Sequence, residues 1–298
     1  MGLLDGKVAI ITGAGGGLGE AYATLFAKEG AAVVVNDLGS SVDGAGASAA
    51  AEKVVAKIIA AGGRAVANGG DVSTIAGGEN ILRTAVDAFG QVDILTCNAG
   101  ILRDRTFAKT SEADWDLVVK VHLKGTYCCA LPVWNWLKDN RRPGVIIMTS
   151  STSGLFGNFG QANYGAAKAG IYGLIRVLSI EGRKYGIRVM GVAPNAVTRM
   201  WANVPGEPDP VLRPENVAPG VLYMASDLAA DHSGKVLAVS GEEIAEIKML
   251  MTSGFRPNGA YTAQDVAAQA SSVFFAGDQR RIDPKAFADA VTVGAADG

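Results

Sequence analysis

Near the amino terminus a glycine-rich turn joins a buried strand to an amphipathic helix, an arrangement few folds accept. Lys7-Val-Ala-Ile-Ile-Thr12 is a short apolar run of strand type, and Leu18, Tyr22, Leu25 and Phe26 share one helical face. Gly13-Ala-Gly-Gly-Gly-Leu-Gly19 connects the two. A glycine trio alone marks any tight turn; between a strand and a helix it has the setting in which a pyrophosphate meets a helix N-terminus. Gly13 permits the turn, and Gly17 and Gly19, with Leu18 between them, allow close approach of backbone to the phosphates. The stretch predicts a dinucleotide site.

Strand and helix patterns then alternate along the chain, which predicts an α/β fold with a Rossmann-type doubly wound parallel sheet. A strand over Ala31–Asn36 ends at Asp37, eighteen residues beyond Gly19. A carboxylate there accepts hydrogen bonds from the ribose hydroxyls of adenosine and repels a 2′-phosphate by up to roughly 4 kcal/mol at an effective dielectric near 20. No Lys or Arg occurs between Gly30 and Glu52 or in the glycine turn, so NAD is expected rather than NADP. Asp71 and Val72 follow the next strand and bracket the adenine in this reading, with a plain loop aspartate as the alternative. Asn98-Ala99-Gly100 follows the strand Val92–Thr96 and either runs along the cofactor ribose or ties strands together through its amide. Pro194 ends a strand over Ile187–Ala193, and Asn195 and Thr198 beyond it are expected over the nicotinamide.

Tyr164 and Lys168 are four apart, one turn above each other on a helix. A free tyrosine titrates near pH 10, too high for a base at neutral pH. A neighbouring ammonium favours the phenolate, and reaching about pH 7 requires roughly 3 units, or ~4 kcal/mol. A pyridinium cofactor would bring a second positive charge. Ser151 lies thirteen residues before Tyr164, at the end of the apolar strand Val145–Met148. Strand end, glycine-rich loop and helix bring its hydroxyl beside the phenol. Tyr-x-x-x-Lys alone is common in ordinary helices; the serine and the nucleotide turn together make the catalytic reading the stronger one.

The chain has 298 residues, 49% hydrophobic and 19% charged, enough for one large α/β domain with a sizeable core. A formal charge of −2 and the lack of basic runs argue against a nucleic-acid partner. Three cysteines and two histidines without ligand spacing argue against a metal, and the odd cysteine count fits a reducing compartment. No secretory pattern opens the chain and no apolar stretch reaches spanning length, so a cytoplasmic protein without membrane contact is expected. A long helical region is expected from Ser111 to about Lys138, with His122 among apolar residues. The proline-dense stretch Trp201–Pro219 reads as a lid over an apolar substrate or as a surface connection. A single NAD-binding domain is expected over residues 1–240, followed by a helical extension over 241–298 that covers the substrate or joins a subunit interface. Its helices are expected near Glu242–Ser253, Ala263–Phe274 and Pro284–Val293.

Taken together, Thr12-Gly13-x-x-x-Gly17-x-Gly19, Asn98-Ala99-Gly100, Ser151 and Tyr164-x-x-x-Lys168 resemble the short-chain dehydrogenase/reductase family over about residues 3–240. Val35-Asn-Asp-Leu-Gly39, Ala99–Arg105, Gly157–Tyr164, Ile180–Lys184 and Ala193-Pro-Asn-Ala196 are similar to one branch of it, the dehydrogenase parts of peroxisomal multifunctional enzymes. The resemblance implies NAD-dependent oxidation of a (3R)-3-hydroxyacyl-CoA, the acyl group bulky or steroid-derived, to the 3-ketoacyl-CoA. In it Tyr164 is the base, Lys168 lowers its pKa and holds the nicotinamide ribose, and Ser151 binds the substrate oxygen. A free hydroxysteroid or other apolar secondary alcohol is the alternative substrate, and a non-catalytic NAD-binding regulator the more distant alternative. Many family members carry Asn where His122 stands, holding a water in the proton relay; the branch shares the His, which implies an altered relay. No hydratase part follows in this sequence, so a separate hydratase is expected to supply substrate. Family members pair through helices matching Ser111–Lys138 and Tyr164–Tyr185, which implies a homodimer or homotetramer.

Overall fold

The computed structural model describes residues 2–39, 49–196 and 211–275. In chain order it runs β1 (Val8–Thr12), α1 (Gly17–Lys28), β2 (Ala32–Asn36), α2 (Ala50–Ala60), β3 (Arg64–Asn68), α3 (Ile75–Phe89), β4 (Ile94–Cys97) and α4 (Glu112–Val119). There follow α5 (Gly125–Asp139), β5 (Gly144–Thr149), α6 (Thr152–Phe156), α7 (Ala162–Glu181), β6 (Ile187–Pro194), α8 (Pro214–Ala225), β7 (Val236–Val239) and β8 (Ile244–Ile247). The sheet order is β3-β2-β1-β4-β5-β6-β7-β8. Pairs from β3 to β7 are parallel; β8 joins β7 antiparallel.

Helices cover both faces, which is why VAIIT, AVVVN and GVIIMT are apolar without alternation and buried throughout. Ala9 and Ile11 of β1 face a core with Tyr22, Phe26, Ile58 and Val221. Val8 and Ile10 face the other core, with Ile81, Leu137 and Ile171. Full burial of each large side chain contributes about 1.5–3 kcal/mol. Strand order reverses between β1 and β4, and ligands of open α/β sheets bind in the crevice beyond the carboxyl ends at that point.

The long helical region expected from Ser111 to Lys138 is present, and within it α4 and α5 are joined by a π-helical turn over Lys120–Lys124 that carries His122. Such turns are rare and recur at functional sites, and a one-residue insertion leaves no mark on hydrophobic spacing. The helix expected over Glu242–Ser253 is instead β8, paired from Val239↔Ile244 to Val236↔Ile247. Ser240 N–H donates to the Glu243 carbonyl at 2.9 Å to close the hairpin, and Lys235 pairs with Glu246 at 2.8 Å across it. Four residues are too few for periodicity to separate strand from helix. Within the proline-dense stretch, Pro214–Pro219 begins α8, with Pro214 in its first turn, where its missing N–H costs nothing.

Contacts divide the chain into Met1–Ile247 and Lys248–Gly298. In the second unit the helix expected over Ala263–Phe274 is broken at Gln269 into α9 (Ala263–Ala268) and α10 (Ala270–Val273). Thr262 and Asp265 cap α9 reciprocally. The helix expected at Pro284–Val293 and Trp201 through Pro210 lie outside the described residues. Among the described residues no helix is long and apolar enough to cross a membrane.

Candidate active site

One cavity of about 690 Å³ runs along the carboxyl ends of the strands, from Asp37 and Val72 past the glycine turn to Tyr164, Lys168 and Asn195. At its near end Gly13 and Gly17 have φ of +64° and +56°, values that favour glycine. A side chain on Gly13 would lie 2.6 Å from the Ala99 Cα. Gly19 packs behind the turn: a Cβ there would lie 2.2 Å from the Gly13 carbonyl oxygen and 2.7 Å from the Asn98 amide nitrogen. Its lack of a side chain serves packing inside the turn. Gly17 and Leu18 line the cavity where α1 begins, so the free N–H groups of that helix face it.

Asp37 accepts from Gly15 N–H at 2.8 Å and Gly39 N–H at 2.7 Å, which fixes the carboxylate at the cavity edge. Gly15 escaped sequence reasoning; a Cβ on it would meet the Asp37 carboxylate at 2.8 Å. Asp71 and Val72 line the same end, and Asp71 also accepts from Ser73 N–H at 2.8 Å. The Asn98 amide donates to the carbonyls of Thr12 and Gly13 at 3.0 and 3.1 Å, so it ties β4 to β1. Thr12 completes the tie, its hydroxyl accepting from the N–H groups of Asn98 and Ala99. Ala99, Gly100, Pro194 and Asn195 line the cavity; Thr198 lies outside the described residues.

Ser151, Tyr164 and Lys168 share the far wall. Ser151 caps α6, its hydroxyl accepting from Ser153 N–H at 3.1 Å, and it also hydrogen-bonds Tyr164. The neighbouring Ser150 is buried behind the wall, where its hydroxyl donates to the Lys168 carbonyl at 2.9 Å. Lys168 Nζ donates to the Thr149 carbonyl at 2.6 Å and lies 5.5 Å from the Tyr164 ring centroid. Burial pulls the Lys168 pKa down to about 7, with Cys97 acting in the opposite direction. Burial raises Tyr164 above the usual tyrosine value; the Ser151 bond lowers it and the charge of Asp104 raises it. Burial thus shifts both groups toward their neutral forms, and a positive charge beside the phenol would favour release of its proton.

His122 is buried, lines the cavity and stands against Tyr164. Its Nε2 lies 2.8 Å from the Ile101 carbonyl oxygen, while its buried Nδ1 has no protein partner. Burial, reinforced by Lys168, brings its pKa down to about 3, so the ring is neutral under ordinary conditions.

The sequence profile described as short chain dehydrogenase matches residues 7–207. This chain belongs to the short-chain dehydrogenase family. It is 47% identical to mouse peroxisomal multifunctional enzyme type 2 over 252 residues, 84% of this chain but 34% of the mouse protein, so it spans about a third of that relative's length. It is 39% identical over 256 residues to a hydroxyacyl-CoA dehydrogenase of Mycobacterium tuberculosis, covering 81% of this chain and 79% of the other. Among solved structures, a short chain dehydrogenase from Mycobacterium avium superposes with a TM-score of 0.83 at 42% identity, covering 92% of this chain and 97% of the other.

The protein is therefore a short-chain dehydrogenase, an oxidoreductase acting on CH–OH groups with a nicotinamide dinucleotide. The cavity of this short-chain dehydrogenase fits such a group. It joins a helix N-terminus for the pyrophosphate, a fixed carboxylate for ribose hydroxyls and a phenol whose ionisation a nearby cation would favour. Among the described residues no cluster of three His, Cys, Asp or Glu side chains forms a metal site. Sequence reasoning missed Thr149 and the pair Asp104 and Gln161 beside Tyr164. Backbone acceptors and loop-to-loop contacts leave no spacing signal.

Proposed function

We propose that this chain oxidises (3R)-3-hydroxyacyl-CoA to 3-ketoacyl-CoA with NAD. The observation that carries the proposal is one continuous cavity with Asp37 at one end and Ser151, Tyr164 and Lys168 at the other. The nicotinamide, when bound, accepts the hydride and contributes positive charge. Tyr164 as phenolate takes the hydroxyl proton; its position one turn before Lys168 lets a protonated lysine favour that form. Ser151 donates to the substrate oxygen and steadies the charge that develops there. Lys168, held by the Thr149 carbonyl, has further protons to offer the nicotinamide ribose. Gly13, Gly17 and Leu18 hold the pyrophosphate region, Asp71 and Val72 the adenine, and Ala99, Gly100, Pro194 and Asn195 the nicotinamide half.

NAD rather than NADP is supported by Asp37 and by the absence of Arg, and of Lys beyond Lys120 and Lys168, from the described cavity wall. The acyl-CoA substrate is supported by the printed activity of the mycobacterial relative. A reducing, cytoplasmic setting is supported by three unpaired cysteines. A homodimer or homotetramer through α5 and α7 is supported by the exposed Tyr127, Val177 and Ile180. The segment beyond the sheet is taken as a substrate cover or interface element.

The test is cofactor reduction with NAD and NADP, using 3-hydroxy thioesters of both configurations and matched free alcohols. Turnover of the (3R)-thioester with NAD is expected. Preference for a free steroid alcohol would overturn the substrate while keeping the chemistry.

A further inference from the structure

The catalytic end of the cavity holds a carboxylate that the reaction above does not use. Asp104 lines the same wall as Ser151 and Tyr164. Its backbone is pinned on both sides: Arg105 N–H donates to the Gly160 carbonyl at 2.9 Å, and the Asn163 amide donates to the Arg103 carbonyl at 3.2 Å. Its side chain accepts from Gln161 Nε2 at 2.8 Å, and Gln161 lies three residues before Tyr164 in the approach to α7. Asp104 is thereby held at the exposed rim of the cavity.

The partner that fixes it is a neutral amide, so this contact leaves the charge in place. The flanking arginines engage other atoms. Arg103 faces Asp114 at 3.8 Å, and Arg105 Nη1 donates to the main-chain carbonyl of Asp104 at 3.0 Å. Lys168 is directed to the Thr149 carbonyl, and the charge of Asp104 reaches Tyr164. A 3-hydroxy acid carries its own carboxylate two bonds from the carbinol carbon that must sit at Tyr164. Two like charges about 7 Å apart at such a rim, with an effective dielectric between about 20 and 80, disfavour each other by roughly 3- to 50-fold. A thioester, ester or plain ketone is neutral at that position.

We propose that Asp104 is a specificity-determining residue that excludes substrates with a free carboxylate next to the reacting carbinol, so that 3-hydroxyacyl groups enter only as thioesters or other neutral derivatives. The inference rests on the secondary-alcohol chemistry above but not on coenzyme A being the carrier.

The test compares kcat/KM for methyl 3-hydroxybutyrate and free 3-hydroxybutyrate in the wild type, Asp104→Asn and Asp104→Ser, at one neutral pH and fixed ionic strength. The wild type is expected to favour the ester at least threefold, and both variants to shrink that ratio at least threefold. Because the ratio is taken within one preparation, partial loss of folded protein does not alter it. Asp104→Asn is also expected to shift the acid limb of the kcat/KM profile to lower pH, since a charge that raises Tyr164 is removed. A ratio unchanged within twofold in both variants would overturn the proposal. An enzyme that ignores acyl-CoA but oxidises the ester overturns the acyl-CoA reading and still tests Asp104. If neither alcohol is oxidised, calorimetric binding of methyl acetoacetate against acetoacetate, with NADH present, reads the same ratio.

Discussion

The imidazole of His122 stands edge-on to the phenol of Tyr164, ring centroids 5.1 Å apart and planes at 89°. One ring sits on the π turn between α4 and α5, the other in the first turn of α7, so the contact joins two separately positioned elements. An edge-to-face pair contributes about 0.5–1.5 kcal/mol, little for the fold as a whole but enough to hold one ring orientation. We expect His122→Ala to lower kcat about tenfold with little change in KM for the cofactor. His122→Phe, which keeps a ring there, should recover part of the loss. Steady-state kinetics of the three proteins would check this, and equal kcat for Ala and wild type would refute it.

The same residue gives a pH dependence with a defined sign. Its folded pKa of about 3 lies below the ordinary histidine value of about 6.5. Between those values the unfolded chain binds one proton more, so stability falls as pH drops through that window. The slope is at most about 1.4 kcal/mol per pH unit. His122→Phe should show a shallower loss between pH 6.5 and pH 4 in urea melts; parallel curves for both proteins would contradict the assignment.

Gly100 has no room for a side chain: an added Cβ would lie 2.2 Å from His122 Cε1. Gly100→Ala should therefore cost about 1–3 kcal/mol, the usual range for overpacking a filled site. Truncating the ring in the double variant Gly100→Ala/His122→Ala should remove most of that added cost. A thermodynamic cycle measured by denaturant melts would reveal the coupling, and simple additivity would place the strain elsewhere.

Tyr164→Phe removes the proposed base and keeps the ring, so turnover should fall by roughly 10²–10⁴ while dinucleotide still binds in fluorescence titration. Ser151→Ala removes the donor proposed to face the developing oxyanion and should lower kcat by about 10²–10³. That variant also strips the cap of α6, a loss of about 1 kcal/mol, which Ser151→Thr should restore. Activity near wild type in either alanine or phenylalanine variant would remove that residue from the mechanism.

The strand-turn-helix of β1 and α1 is legible in the sequence because one physical requirement, backbone close to phosphate, dictates residue types at adjacent positions. The meeting of Tyr164 with Lys168 is legible for a similar reason, since four residues make one turn of α7. The π turn is not: α4 and α5 have ordinary helical composition, and the extra residue per turn leaves no trace in apolar spacing. β8 is hidden because Ile244–Ile247 is short and half exposed, and only the facing β7 decides its conformation. Asp104 and Gln161 are separated by 56 other residues, and nothing local foretells their contact. The position of Gly19 in the motif is visible in the sequence, whereas the neighbours that fill the space of its missing side chain, Gly13 and Asn98, are a tertiary matter.

The hydrogen bond from Gly15 to Asp37 has an evolutionary consequence. The acidic group proposed to select the ribose also braces the turn proposed to receive the phosphates. Replacing Asp37 by a basic residue would change the preferred nucleotide and loosen its cradle in the same step, and residue 15 cannot grow to compensate while Asp37 and Ala50 stand in its way. On that reading, a switch of nucleotide by a single substitution at residue 37 would carry a structural cost in the turn, which shields the proposed preference from drift.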